Sequence, residues 1–279
     1  MSMMKWFRNL SLYKKLTLIV LLCLICIYLV FLLNIRYLTQ SYERELYQAN
    51  AESLSYVEAS VRSKVQELES ISTNMIADAV IQDNLFEIRE EAQEERVSLA
   101  KRDIYNALYA YTYYNHYIRS INIILEDGSN ICMGSSEYIT RFDLESLTEQ
   151  ARQAAGRIRW ETGGDETGDA VLYRQIRQKK YLTFEKLADL YLVVDMERLA
   201  GDVLKEVNYI PENAGFLLYQ GSDRLYAGGA GEEWFGREFI DRAQEKGSAY
   251  QIEGVNGEEK FIITGRIPEV GWDYIFYRN

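Results

Sequence analysis

The sequence predicts an α+β protein: one membrane-crossing helix, a long stalk helix, then two tandem modules built on antiparallel sheets. Three observations carry this expectation. Leu16 to Ile35 is an uncharged apolar run of 20 residues, which at helical rise spans roughly 30 Å, the thickness of a bilayer's hydrocarbon core. The first glycine is Gly128 and the only prolines are Pro211 and Pro268, so neither helix breaker interrupts the first part of the chain. From Tyr117 onward the apolar period changes from that of helices to that of strands.

The run LTLIVLLCLICIYLVFLL, followed by Asn34 and Ile35, is apolar all round, which a soluble core helix does not require. It exceeds the length of a signal-peptide core, and Asn34, Ile35 and Arg36 offer no small-residue cleavage site, so it reads as a retained anchor in membrane lipid. Lys5, Arg8, Lys14 and Lys15 precede it with no acidic residue among them. That bias places residues 1–15 in the cytoplasm as a basic tail, 16–35 in the membrane and everything from about residue 36 outside. All 42 acidic residues but only 27 of the 31 basic ones follow Leu33, leaving 15 net negative charges on the outer part. Such a field suits solubility and argues against a nucleic-acid partner. Cys23 and Cys26 lie in the apolar run, where nothing lowers a thiol pKa, and the lone outer thiol, Cys132, is expected to be a buried strand residue.

Residues 36–116 are expected to be helical. Leu38, Tyr42, Leu46, Ala49, Ser53, Val57, Val61, Val65, Leu68, Ile71, Met75 and Ala79 recur at steps of three and four, one stripe on a helix of roughly 60 Å. The stripe offers two copies a seam for a homodimer, or packs on its own domain. Asp83 and Asn84 are the expected stop and the cap of a further helix, in which Val97, Ala100, Ile104, Leu108 and Tyr111 are periodic. Tyr105, Tyr109, Tyr111, Tyr113, Tyr114 and Tyr117, beside His116, suit core or subunit packing or a ligand surface.

Residues 117–210 form the expected membrane-distal module. Ile118 to Leu125 and Ile131 to Ser135 flank Asp127 and Gly128 as a hairpin. A helix from Asp143 to Ala155 ends at Gly156, and strands follow at Arg157 to Glu161, Ala170 to Ile176 and Asp189 to Asp195, then a helix from Met196 to Val207. Residues 211–279, the expected membrane-proximal module, repeat the scheme: a hairpin about Gly221, a helix from Gly236 to Glu245, strands turning at Asn256 and Gly257, and a last strand from Trp272 to Tyr277. The repetition is one of architecture, not of residues.

Catalytic chemistry is poorly represented. With His116 as the only histidine, neither a His-based metal site nor a Ser/His/Asp triad is expected. Asp165, Glu166 and Asp169 lie in a glycine-rich loop and read as a solvated turn before a Ca²⁺ site. Gly228 to Gly231 lacks the Lys-Ser/Thr of a phosphate-binding loop and reads as a turn. The outer part is expected to bind, not to catalyse, with no cofactor and no metal.

The order of basic tail, membrane helix, long outer helix and two PAS-like modules resembles the double Cache (dCache) sensor regions of bacterial receptors. In detail it is similar to the N-terminal half of YesM-type sensor histidine kinases. WFRNLSLYKKL (Trp6 to Leu16), VRSKVQELESISTNM (Val61 to Met75), YIRSINIILEDG (Tyr117 to Gly128), DLYLVVDMERL (Asp189 to Leu199) and GWDYIF (Gly271 to Phe276) carry the resemblance. It implies an extracytoplasmic sensor followed by a second membrane helix, a HAMP linker and a kinase. These 279 residues contain no phosphoacceptor or ATP-binding box and are not expected to autophosphorylate, so the chain is read as a fragment or the product of a truncated gene. The Arg-x-Trp element of amino-acid-binding relatives is absent, since Ile158 stands where that pattern has Arg. YesM-type kinases are often associated with carbohydrate uptake, so the resemblance implies a carbohydrate, or a sugar-loaded solute-binding protein, as partner. The expected pocket comprises Trp160, Tyr173 and Tyr181 for stacking and Arg174 and Asp195 for orienting polar groups. Other outputs compatible with such a sensor are a membrane-bound AraC-type regulator or a chemoreceptor, and a different class is an anchored surface protein without signalling.

Overall fold

The computed structural model describes residues 12–90, 93–163, 168–179, 184–206, 214–221, 223–229, 250–255 and 258–278. The chain divides into two compact units, Met1–Ser53 and Leu54–Asn279. Helix α1 (Leu12–Ala77) runs through the boundary. Within it, Val20–Tyr42 is 23 residues of mean hydropathy 2.3 with no buried residue in its apolar window, a stretch long and apolar enough to cross a membrane.

The apolar stripe of α1 divides in two. Leu38 and Tyr42 are exposed, whereas Val57, Val61, Val65, Leu68 and Met75 are each at most 2% exposed. Their spacing puts them on one helix face, and that face enters a core shared with strands of both sheets.

The break after α1 falls at Asp78, earlier than Asp83 and Asn84, which lie inside α2 (Ala79–Glu90). Asp78 Oδ1 accepts from the backbone N–H groups of Val80 at 2.8 Å and Ile81 at 3.3 Å, as an N-cap does. Its Oδ2 accepts from the Tyr111 hydroxyl at 3.1 Å. A tertiary partner thus selects which Asx residue caps. Asp78→Ala is expected to cost about 1 kcal/mol, read as a lower denaturation midpoint at unchanged slope. Helix α3 (Glu94–Tyr113) buries Ala100, Ile104 and Leu108. Tyr117 is buried, while Tyr105, Tyr109, Tyr113 and Tyr114 face outward.

The first sheet contains β1 (Ile118–Ile124), β2 (Asn130–Gly134), β3 (Arg159–Thr162), β4 (Asp169–Arg177) and β5 (Lys186–Asp195), in the order β2-β1-β5-β4-β3. A 3-10 turn (Ile139–Arg141) and α4 (Leu144–Ala154) connect β2 to β3. Asp143 caps α4 by accepting from the N–H groups of Glu145 and Ser146. After α5 (Met196–Glu206), the second sheet contains β6 (Ala214–Gln220), β7 (Asp223–Gly229), β8 (Tyr250–Val255), β9 (Glu258–Ile267) and β10 (Trp272–Arg278), in the order β7-β6-β10-β9-β8. Both sheets are antiparallel with the same winding, an opening hairpin at one side and the last strand in the centre. This is the two-sheet α+β architecture the sequence predicts. Gly228 and Gly229 end β7, and the rest of the turn expected over Gly228 to Gly231 lies outside the described residues. The helix expected at Gly236 to Glu245, the turn at Asn256 and Gly257, and Pro211 lie outside the described residues.

Gly215 on β6 lies under the Tyr277 ring of β10, and a Cβ there would overlap that ring. Tyr277 is fully buried and has nowhere to go. Gly215→Ala is expected to cost about 1–3 kcal/mol, measurable by chemical denaturation.

Candidate ligand site

Side chains alternate across a strand, so each sheet has two faces of different composition. One face of the first sheet carries Ile121, Ile123, Leu172, Ile176, Leu190, Leu192 and Val194 against the helices. The other carries Ser120, Asn122, Asp169, Tyr173, Gln175, Asp189 and Tyr191, together with Val171 and Val193, every one of them buried. Burying polar groups is costly unless they are hydrogen-bonded, and a sheet needs only apolar residues to hold its cover. Val171, Val193, Ile139, Phe142, Leu147 and Ala151 hold the cover as an apolar cluster, and the buried polar groups beside it are more than packing requires.

The pairing places Asn122, Tyr191, Tyr173 and Arg159 in one row across four strands. Asn122 donates to Ser120 Oγ at 3.0 Å and accepts from Asn130 Nδ2 at 3.0 Å. The Tyr173 and Tyr191 rings stack at 6.4 Å. Tyr173 donates to Gln150 Oε1 at 2.6 Å, and the Tyr191 hydroxyl lies 2.8 Å from Thr148 Oγ1. Two hydroxyls thus fasten α4 over the face. Burial pushes both phenols up to about 12, so they remain protonated at neutral pH.

At one end of this face lies a charged cluster. The β1–β5 register shifts between Ile118 and Ser120, and the bulge turns Arg119 toward the carboxylates at the ends of β4 and β5. Arg119 Nε is 2.6 Å from Asp169 Oδ1 and its Nη2 is 3.0 Å from Asp195 Oδ2. Arg141 Nη1, from the 3-10 turn, is 2.9 Å from Asp169 Oδ2. The Tyr138 ring lies 5.2 Å from one guanidinium and 5.1 Å from the other, within cation–π range. The Asp169 side chain is wholly buried. Burial raises its carboxyl above the usual range, against the downward pull of Arg119 and Arg141. Arg119 Nε and Asp169 Oδ1 are close but not aligned as a hydrogen bond. Two cations and two anions make the cluster neutral, with donors and acceptors that an entering polar molecule can take over.

The sequence-predicted pocket residues fall in different places. Tyr173 and Asp195 belong to the polar face. Trp160 and Arg174 project from the opposite face: the indole Nε1 donates to Glu69 Oε1 of α1 at 3.1 Å, and Arg174 donates to Thr73 Oγ1 at 3.0 Å and to the Gly156 carbonyl at 2.7 Å. Tyr181 lies outside the described residues. No sequence pattern marks Arg119, Arg141 or Tyr138, and Asp169 reads in the sequence only as part of an acidic loop. Cys132 sits half-buried on β2, where burial raises its thiol pKa. His116 is exposed and 3.2 Å from Asp202 Oδ2.

Two successive sheets of this winding give the two-module α+β fold that the sequence resemblance to double Cache sensor regions implies. The ligand-binding domain of the Campylobacter jejuni chemoreceptor Tlp3 in complex with L-norvaline superposes with a TM-score of 0.55 at 11% identity, over 81% of this chain and 88% of that one. A sensory box/GGDEF family protein domain from Vibrio parahaemolyticus gives 0.52 at 13%, over 82% and 94%. The ligand-binding domain of the Pseudomonas aeruginosa chemoreceptor PctB in complex with L-Arg gives 0.51 at 11%, over 80% and 90%. No family model matches the chain. In sequence it is 23% identical over 254 residues to the sensor histidine kinase YesM of Bacillus subtilis (strain 168), an alignment covering 88% of this chain. The chain spans 44% of that protein's length. The chain is thus similar in fold to these ligand-binding and sensory domains and in sequence to part of that sensor kinase.

Proposed function

We propose that the chain is the sensing region of a two-component histidine kinase, with its N-terminus cytoplasmic, its outer part dimeric along α1, and a small polar solute bound in the membrane-distal module between the first sheet and α4. The single observation that supports this most is the buried Asp169, held by two arginines at one end of a buried sheet face that also carries tyrosines, amides and two valines. Arg119 and Arg141 suit a carboxylate or hydroxyl of the solute, Asp169 and Asp195 an ammonium or hydroxyl, and Tyr138, Tyr173 and Tyr191 an apolar or ring face. Because the cluster is neutral, an uncharged or zwitterionic solute enters without leaving net charge buried. Sugars and amino acids both meet that condition, and the Tlp3 and PctB domains were solved with amino acids. Binding that breaks the cluster favours a different arrangement of β4, β5 and α4, and so biases the receptor's two states.

Titration calorimetry of the full chain in lipid nanodiscs, against amino acids, sugars and small carboxylates, tests this. A saturable heat is expected from at least one of these classes. Arg141→Ala is expected to weaken that binding about tenfold or more, the value of a hydrogen bond to a charged group. Silence across the panel, or unchanged affinity in Arg141→Ala, would overturn the proposal. Recovery of binding only with a solute-binding protein present would move the partner from solute to protein.

A further inference from the structure

Among the described residues, the two sheets meet at a polar junction inside an apolar core. Trp160, on edge strand β3 of the first sheet, stacks edge-on against Trp272 of β10, with ring centroids 5.4 Å apart and planes at 77°. Gln220, the last residue of β6 and the cross-strand partner of Trp272, bridges them. Its Nε2 donates to the Trp160 carbonyl at 3.1 Å, and its Oε1 accepts from the Trp272 indole at 3.1 Å. The open edge of the first sheet is thereby tied to the centre of the second. Glu69 of α1 fixes the Trp160 indole from the other side at 3.1 Å. Beside this, Thr162 donates to Asp223 Oδ2 of β7 at 2.7 Å. Trp272 is fully buried and Trp160 is 8% exposed, so neither ring moves without displacing its neighbours.

The junction also adjoins the polar face. Trp160 pairs with Leu172, and the next pair along the same two strands is Arg159 with Tyr173. A shift of β3 and β4 beneath the solute moves Trp160 with them. We propose that Trp160, Gln220 and Trp272 form the link through which a rearrangement of the first module's polar face reaches the second module. Gln220 acts as a positioning residue: its side chain reads the position of the β3 backbone and transfers it to Trp272. The link serves the sensing role proposed above, yet its test uses no solute, so the two fail separately.

The test is a double-mutant comparison on the full chain in nanodiscs, read by hydrogen exchange at the β10 amides from Tyr274 to Tyr277. Arg141→Ala supplies the disturbance on the polar face, and Gln220→Met cuts the bridge while keeping the side chain's bulk. With Gln220 present, Arg141→Ala is expected to change β10 exchange by about threefold or more, within the range of couplings carried through packed networks. In Gln220→Met that effect is expected to vanish. If Gln220→Met does not fold, Trp272→Phe, which removes only the indole donor and part of the ring, carries the same comparison. An equal effect of Arg141→Ala in both backgrounds, or no effect at β10 in either, overturns the proposal.

Discussion

Asp169→Ala is expected to lower stability by about 3 kcal/mol, because removing one partner of a buried ion pair leaves the others uncompensated. The Asp169 side chain has no exposed surface, and Arg119 retains only 25% of its own, so water offers little relief. For a unit of this size the loss appears as a fall in Tm of about 6–12 °C. The exposed pair Glu149–Arg152 is equally short, at 2.6 Å, with side chains 48% and 68% exposed. Glu149→Ala is expected to leave Tm unchanged within error, since solvent already screens that pair. The contrast separates burial from distance as the source of the effect.

Deleting residues 54–77 is expected to abolish folding of the outer part altogether. Val57, Val61, Val65, Leu68 and Met75 are buried in the core that both sheets share. At about 1.5–3 kcal/mol per fully buried side chain, their loss is comparable to the whole stability of a domain, about 5–15 kcal/mol. The milder form is Leu68→Ala, with an expected cost of about 2–5 kcal/mol set by how far the cavity collapses. Circular dichroism and denaturant unfolding of each chain check both values. If the deletion variant kept native β-sheet signal and cooperative unfolding, this part of α1 would be a tether and not a structural element.

Much of the fold is legible in the sequence because the signals are local. Twenty apolar residues without a charge, the hairpin turn at Asp127 and Gly128, and the cap at Asp143 each act over a few residues. The helix break was misplaced for a reason that is not local: Asp78 outcompetes Asp83 because Tyr111, on another helix, holds it. The site was less legible still. Tyr173 and Arg174 are neighbours on one strand, and alternation sends them to opposite faces. Which face receives Trp160 depends on its pairing with Leu172, a register no composition reveals. Arg119 reaches Asp169 only through a bulge, and Arg141 only through a 3-10 turn packed over the sheet. Charges far apart in sequence meet through two irregularities that periodicity does not encode. Asp195, expected to orient polar groups, ends β5, where its Oδ1 accepts from the Arg198 N–H at 2.9 Å and caps the following helix.

Amide hydrogen exchange of the full chain, with and without a panel of amino acids and sugars, tests the sensing role most directly. A bound solute is predicted to slow exchange in Tyr138–Ala154 and along β4 and β5, with the largest protection where α4 covers Tyr173 and Tyr191. No protection with any member of the panel, or protection confined to the second sheet, would contradict it.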